Sequence, residues 1–119
     1  TRHRRHLNYF FVSCNWYFRD VNFIMRHVAE PWFSFGCNLM LKYPNLYYST
    51  SAFSPKHYPK DIIDFANTRG KNKIMYAGYF PMGLSLDKIF TEMDNVPFND
   101  EIWPLFLGEN AKRVLKLKI

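Results

Sequence analysis

Short apolar runs of strand length recur along the chain. Each ends in a turn bearing glycine or proline, and a segment with helical spacing follows. Phe23-Ile24-Met25-Arg26-His27 runs into Ala29-Glu30-Pro31. Leu46-Tyr47-Tyr48-Ser49-Thr50-Ser51 runs into Ala52-Phe53-Ser54-Pro55, and Lys73-Ile74-Met75-Tyr76-Ala77 runs into Gly78-Tyr79-Phe80-Pro81. Strand, loop and helix repeated at this spacing predict parallel βαβ units. The strands are expected over 21–26, 46–50 and 73–77, parallel and in sequential order under the right-handed crossover rule, with the helices on one face.

The segments between them are read as helices. Leu7 to Phe18 is apolar with Asn8, Ser13 and Asn15 interspersed. Pro31 suits a first helical turn, and that helix stops before Pro44, since a residue preceding proline leaves the helical region. Ala52 to Tyr58 is a loop. Pro59 or Lys60 opens the next helix, which buries Ile62, Ile63, Phe65 and Ala66 and takes Gly70 as its C-terminal cap. Ser85 is the expected N-cap of a helix carrying Leu86, Ile89, Phe90 and Met93 at helical spacing. Asn99 or Asp100 caps a helix through Trp103 to Leu107. Gly108 separates it from a last one, Glu109 to Leu117, with Ala111, Val114 and Leu115 inward. With no low-complexity tract or linker, residues 1–119 read as one domain. Three strands do not close a barrel, which takes about 250 residues. The pattern therefore predicts an open α/β sheet or the last part of a longer barrel.

Composition narrows this. Nearly half of the residues are apolar and 19% are aromatic, as in a folded domain with large buried side chains. No stretch approaches the roughly 20 apolar residues of a membrane span. The start, Thr1-Arg2-His3-Arg4-Arg5-His6, has neither the apolar core of a signal peptide nor an initiator Met, which suggests a fragment or a processed product. Cys14 and Cys37 fall in different predicted helices without Cys-x-x-Cys spacing. They read as reduced core thiols of a cytoplasmic protein. The formal charge of +6 collects at the two ends, at Arg2, Arg4 and Arg5 and at Lys112, Arg113, Lys116 and Lys118. Without a nucleic-acid motif, or aromatics alternating with basic residues on one strand, this is solvated terminal charge. A basic nucleic-acid-binding module is the remote alternative.

Polar groups at the C-terminal ends of parallel strands form the active sites of such folds. Here they are His27, Ser51 and Tyr79. An imidazole at a strand end serves as general base, electrophile or metal ligand. Ser51 has no Gly-x-Ser-x-Gly elbow, so its hydroxyl is expected to fix a loop or contact a ligand. The Tyr79 phenol can donate a hydrogen bond to substrate or simply pack. His57 is placed in the second loop, exposed. His3 and His6 are three apart and could share one helix face, a weak basis for a metal site.

Five stretches, in order, carry a resemblance. Tyr17-Phe18-Arg19-Asp20 leads into an apolar strand closed by His27, and Ala29-Glu30-Pro31-Trp32 follows. Lys42-Tyr43-Pro44-Asn45-Leu46-Tyr47 leads into a strand tipped by Ser51. Lys73 to Pro81 has the form of a last barrel strand, K-hydrophobic-FGSD-[FY]-P. Leu107-Gly108-Glu109-Asn110-Ala111-Lys112-Arg113 has the form of a closing L-G-x-N-A-x-R helix. Together they resemble the C-terminal portion of the amidohydrolase-related family, the branch with aminocarboxymuconate-semialdehyde and resorcylate decarboxylase-like enzymes.

The resemblance implies strands six to eight of a metal-dependent TIM (β/α)8 barrel that hydrolyses or decarboxylates a small organic carboxylate, amide or ester. His27 would be the catalytic histidine of strand six, with Ser51 and Tyr79 binding substrate. Intact members hold one divalent, zinc-like metal. Their His-x-His pair and strand-five histidine have no counterpart here. The resemblance departs at two points. Val28 follows the histidine where the family has glycine, and Tyr79 stands at the strand-eight aspartate. A neutral phenol is a poor ligand for a divalent ion. No metal is therefore expected in this chain, and a catalytically inactive binding or structural remnant is the alternative. The expected partner is a small-molecule substrate, with no membrane; a homo-oligomer is left open.

Overall fold

The computed structural model describes residues 13–26 and 32–119. Its centre is a three-stranded parallel sheet in the order β1 (Phe23–Arg26), β2 (Leu46–Ser49), β3 (Ile74–Met75). The sequential parallel order matches the reading from the sequence. The register sets Phe23 beside Leu46, Met25 beside Tyr48 and Tyr48 beside Ile74. Side chains alternate across a strand, so Met25, Tyr48 and Ile74 share one face. That face packs under α1 (Phe33–Lys42) and α2 (Lys60–Thr68), against Met40, Ile62 and Phe65. Ile62 and Ile74 are each 1% exposed. Burying a side chain of that size contributes about 1.5–3 kcal/mol.

α1 ends where the sequence requires. Tyr43, ahead of Pro44, is extended at φ −108 and ψ 113. The Cys37 thiol in α1 leans on the Asp61 carbonyl of α2 at 3.8 Å, and burial pushes it up to about 11. Cys14 is only half-buried, so one of the two expected core thiols sits at the surface of the core. Residues 13–17 are helical, as expected; 1–12 and 27–31, with Pro31 among them, lie outside the described residues.

Several details differ from the sequence reading. β3 spans two residues rather than five. Past Met75 the backbone turns to other partners, the Tyr76 N–H donating to the Phe106 carbonyl at 2.9 Å and the Ala77 N–H to the Thr50 hydroxyl at 3.4 Å. Gly70 does not cap α2 with a left-handed turn. Its N–H bonds the Phe65 carbonyl at 2.7 Å, and a Cβ there would strike the Phe65 ring, so close approach selects the glycine. In α3 (Leu86–Met93) Ser85 is the N-cap, accepting from the Lys88 N–H at 3.2 Å. Ile89 and Met93 are buried, yet Leu86 and Phe90 face solvent.

The last helices are continuous through Gly108. α4 (Ile102–Pro104) passes into a π-helical stretch (Leu105–Glu109) and then α5 (Asn110–Val114). Lys116 adopts φ 54 and ends the run before the expected Leu117, leaving Leu115 exposed. Ala111 and Leu115 border the second face of the sheet beside Ile24 and Met75. The helices therefore do not keep to one face.

Asn110 explains the closing motif. It is fully buried, and its amide donates to the Lys71 and Ile74 carbonyls at 2.7 and 2.9 Å. Arg113 donates to the Asn110 side-chain oxygen and to the Asn72 carbonyl. Asn110→Leu removes both donors from a dry site and should lower stability by about 2–4 kcal/mol, read as a lower urea midpoint. An unchanged midpoint would show that the latch is dispensable.

Candidate functional site

Because Met25, Tyr48 and Ile74 lie under the helices, Arg26, Ser49 and Met75 belong to the other face, in register across the three strands. This row meets the C-terminal strand ends. There the chain leaving β2 and β3 closes a cavity of about 310 Å³, lined among others by Arg26, Ser49, Ser51, Tyr76 and Tyr79.

Among the described residues Arg26 is the one charged side chain lining it. Its Nε donates to the Ser51 hydroxyl at 3.4 Å, and the Ser49 hydroxyl donates to the same oxygen at 3.4 Å. Nε is one of three guanidinium nitrogens, and the side chain remains exposed. Ser51 is 3% exposed, so it is a wall residue that orients Arg26 more than a surface for ligand. Tyr79 is 39% exposed, at the mouth. Burial raises the Tyr76 phenol above its ordinary value and keeps it a proton donor. Ser51 and Tyr79 thus share one cavity, as their strand-end positions predict. His27 lies outside the described residues. Arg26 was missed by the sequence reading, although period-two alternation from Met25 places it on the face opposite the core.

Buried bonds hold the rim in place. Thr50 is fully buried; its oxygen accepts from the Ala77 N–H, and its hydroxyl donates to the Tyr58 phenol oxygen at 3.4 Å. Burial pushes the Tyr58 phenol up to about 12. The loop after β2 passes through a 3₁₀ turn, Pro55–His57, in which His57 is exposed as expected. The Ser54 hydroxyl beside that turn donates to the Glu92 carboxylate of α3. That bond, assisted by Lys56, holds the Glu92 carboxyl below its usual range.

The described residues do not fit the metal that the resemblance implies. Tyr79, which the resemblance sets against an aspartate, offers a neutral phenol, Glu92 is engaged by Ser54, and among the described residues no three His, Cys, Asp or Glu converge on one point.

A family model described as Amidohydrolase matches residues 17–117. No curated protein and no solved structure matches the chain. Among the described residues no helix is long and apolar enough to cross a membrane.

The depressed Glu92 carboxyl gives a pH signature. A group whose folded pKa lies below its unfolded value stabilises the fold above the unfolded pKa, about 4.3 for Glu, and that contribution is lost as pH falls through the folded value. Stability should therefore drop on acidification in this window, and Glu92→Gln should flatten the drop while keeping an acceptor for Ser54. Parallel pH curves for the two proteins would refute the assignment.

Proposed function

The chain belongs to the amidohydrolase family, and from that premise we propose that it forms the substrate-holding rim of a hydrolase or decarboxylase acting on a small organic molecule. The observation that carries this is the cavity at the C-terminal strand ends, where Arg26, Ser51 and Tyr79 meet. In this reading the Arg26 guanidinium, steadied by Ser51, anchors an acidic or carbonyl oxygen of the substrate by charge-assisted hydrogen bonds. The Tyr79 phenol donates a further bond at the mouth. His27 takes the catalytic role that its strand-end position and the family resemblance suggest, orienting or protonating the substrate. The position of the three strands as the sixth to eighth of a TIM barrel is part of the same proposal.

Titration of isotope-labelled protein with small carboxylates, amides and esters tests it. Amide shifts should concentrate at Arg26, Ser49, Ser51 and Ala77–Tyr79, and Arg26→Ala should weaken binding. Shifts elsewhere, or none, would sink the reading.

Tyr79 favours a second reading for the 119-residue chain by itself: a binding or structural form of the fold, without metal-assisted turnover. After dialysis the purified protein should hold no stoichiometric zinc by elemental analysis. Tyr79→Asp should strengthen zinc binding. About one tightly held metal per wild-type chain would overturn this second reading, and an unchanged affinity in Tyr79→Asp would show that the site differs from the family at more than one position.

A further inference from the structure

A second cavity, of about 240 Å³, lies at the opposite end of the sheet. One wall is the helical segment at 13–17 with the turn after it, contributing Asn15, Trp16 and Arg19. The other is the end of α1 and the turn into β2, with Lys42, Tyr43 and Pro44. Asn45 lines it too, immediately before Leu46 opens β2. Four residues of strand, about 13 Å, separate this end from the rim.

Among the described residues the lining includes two cations and no carboxylate. Aromatic rings steady both cations, the Arg19 guanidinium lying 4.5 Å over Trp16 and the Lys42 ammonium 5.4 Å from the Tyr43 ring. A ring positions a cation without neutralising it. The carbonyls of the turn that follows have a donor of their own, Lys73, which reaches the Tyr43, Pro44 and Leu46 carbonyls at 3.2, 2.7 and 3.2 Å. Three cations therefore surround one turn whose carbonyls already have a donor. The two walls are tied together as well. The Asn45 amide donates to the Phe18 and Val21 carbonyls at 3.1 and 2.9 Å, which fixes the segment bearing Trp16 and Arg19 against the turn.

We propose that this cavity is a binding site for a small aromatic anion, distinct from the rim. A carboxylate or phosphate sits between Arg19 and Lys42. The flat ring lies along Pro44 and Trp16, which is 55% exposed. The rings supply apolar area, the cations supply the charge, and the buried polar groups around them are already engaged, so an anion enters without displacing a native bond.

The test titrates the labelled full chain with phenyl phosphate, benzoate, inorganic phosphate and benzyl alcohol. The readout is the Trp16 indole N–H signal, assigned with Trp16→Phe. Phenyl phosphate or benzoate should give a saturable shift. The tighter of the two identifies the anionic group, inorganic phosphate should bind more weakly than phenyl phosphate, and benzyl alcohol should not saturate. Arg19→Gln and Lys42→Gln should each weaken binding about tenfold, and Arg26→Ala should leave it unchanged. Rising salt should weaken it as well, a readout that needs no variant should one fail to fold. No saturation by about 10 mM, or benzyl alcohol binding as tightly as the anions, would overturn the site. So would a loss of binding confined to Arg26→Ala, which would return the ligand to the rim.

Discussion

The ammonium of Lys73 ties the start of β3 to the turn between α1 and β2, about thirty residues earlier in the sequence. Its donors reach the Tyr43 and Pro44 carbonyls at the end of α1 and the Leu46 carbonyl at the start of β2, while its own backbone carbonyl accepts from the Tyr48 N–H of β2 at 2.9 Å. It also stands 4.6 Å over the Tyr47 ring. Half-burial opposes this charge, and desolvation, with Arg113 nearby, lowers the Lys73 pKa. Three carbonyls and a ring offset that cost, because an ammonium has three donors and no acceptor to satisfy. Without the cation, three carbonyls of one tight turn would lose a donor at the point where the sheet begins.

The same end carries further long-range polar ties. Asn45 binds the segment before β1, Asn22 donates to the Val114 carbonyl, and Asn110 and Arg113 bind the approach to β3. The N-terminal strand ends are thus committed to holding the fold together. The C-terminal ends carry fewer such ties, and their polar groups, Arg26, Ser49 and Tyr79, line a cavity instead. Parallel α/β sheets commonly divide their two ends in this way. Thr50 links the two regimes, since its buried hydroxyl joins β2 to the chain leaving β3 just beneath the rim.

Much of this was legible in the sequence because it depends on local signals. Apolar runs broken by Pro and Gly located all three strands, Pro44 ended α1, and Ser85 capped α3. The sequence was silent where tertiary partners decide. Nothing local marks that β3 gives up its ladder after Met75, because the competing acceptor, the Phe106 carbonyl, is thirty residues downstream. Gly108 has no neighbour within 4 Å of a built Cβ and no left-handed φ, so the glycine that suggested a break merely sits inside a helical run. Gly70 was expected as a cap for its backbone freedom, whereas the nearness of the Phe65 ring is what demands it. Ser51 and Tyr79 were found because strand ends are predictable. Their unequal exposure, and the contact of Ser51 with Arg26, depend on pleat and register.

The neutral phenol of Tyr79 bears on the charge of the whole rim. An aspartate there would bring a carboxylate within the same small cavity as Arg26, and the two opposite charges would attract and neutralise each other in a partly dry space where Coulomb interactions are strong. With tyrosine, Arg26 is the only formally charged side chain that lines the cavity among the described residues. The Ser51 hydroxyl, pinned as an acceptor for the Arg26 Nε, suits the second arrangement, since it keeps the guanidinium at the cavity in the absence of a carboxylate to hold it. A neutral phenol and an oriented guanidinium at one rim therefore act together: neither offers a metal cation a negatively charged ligand, and the guanidinium favours an acidic group.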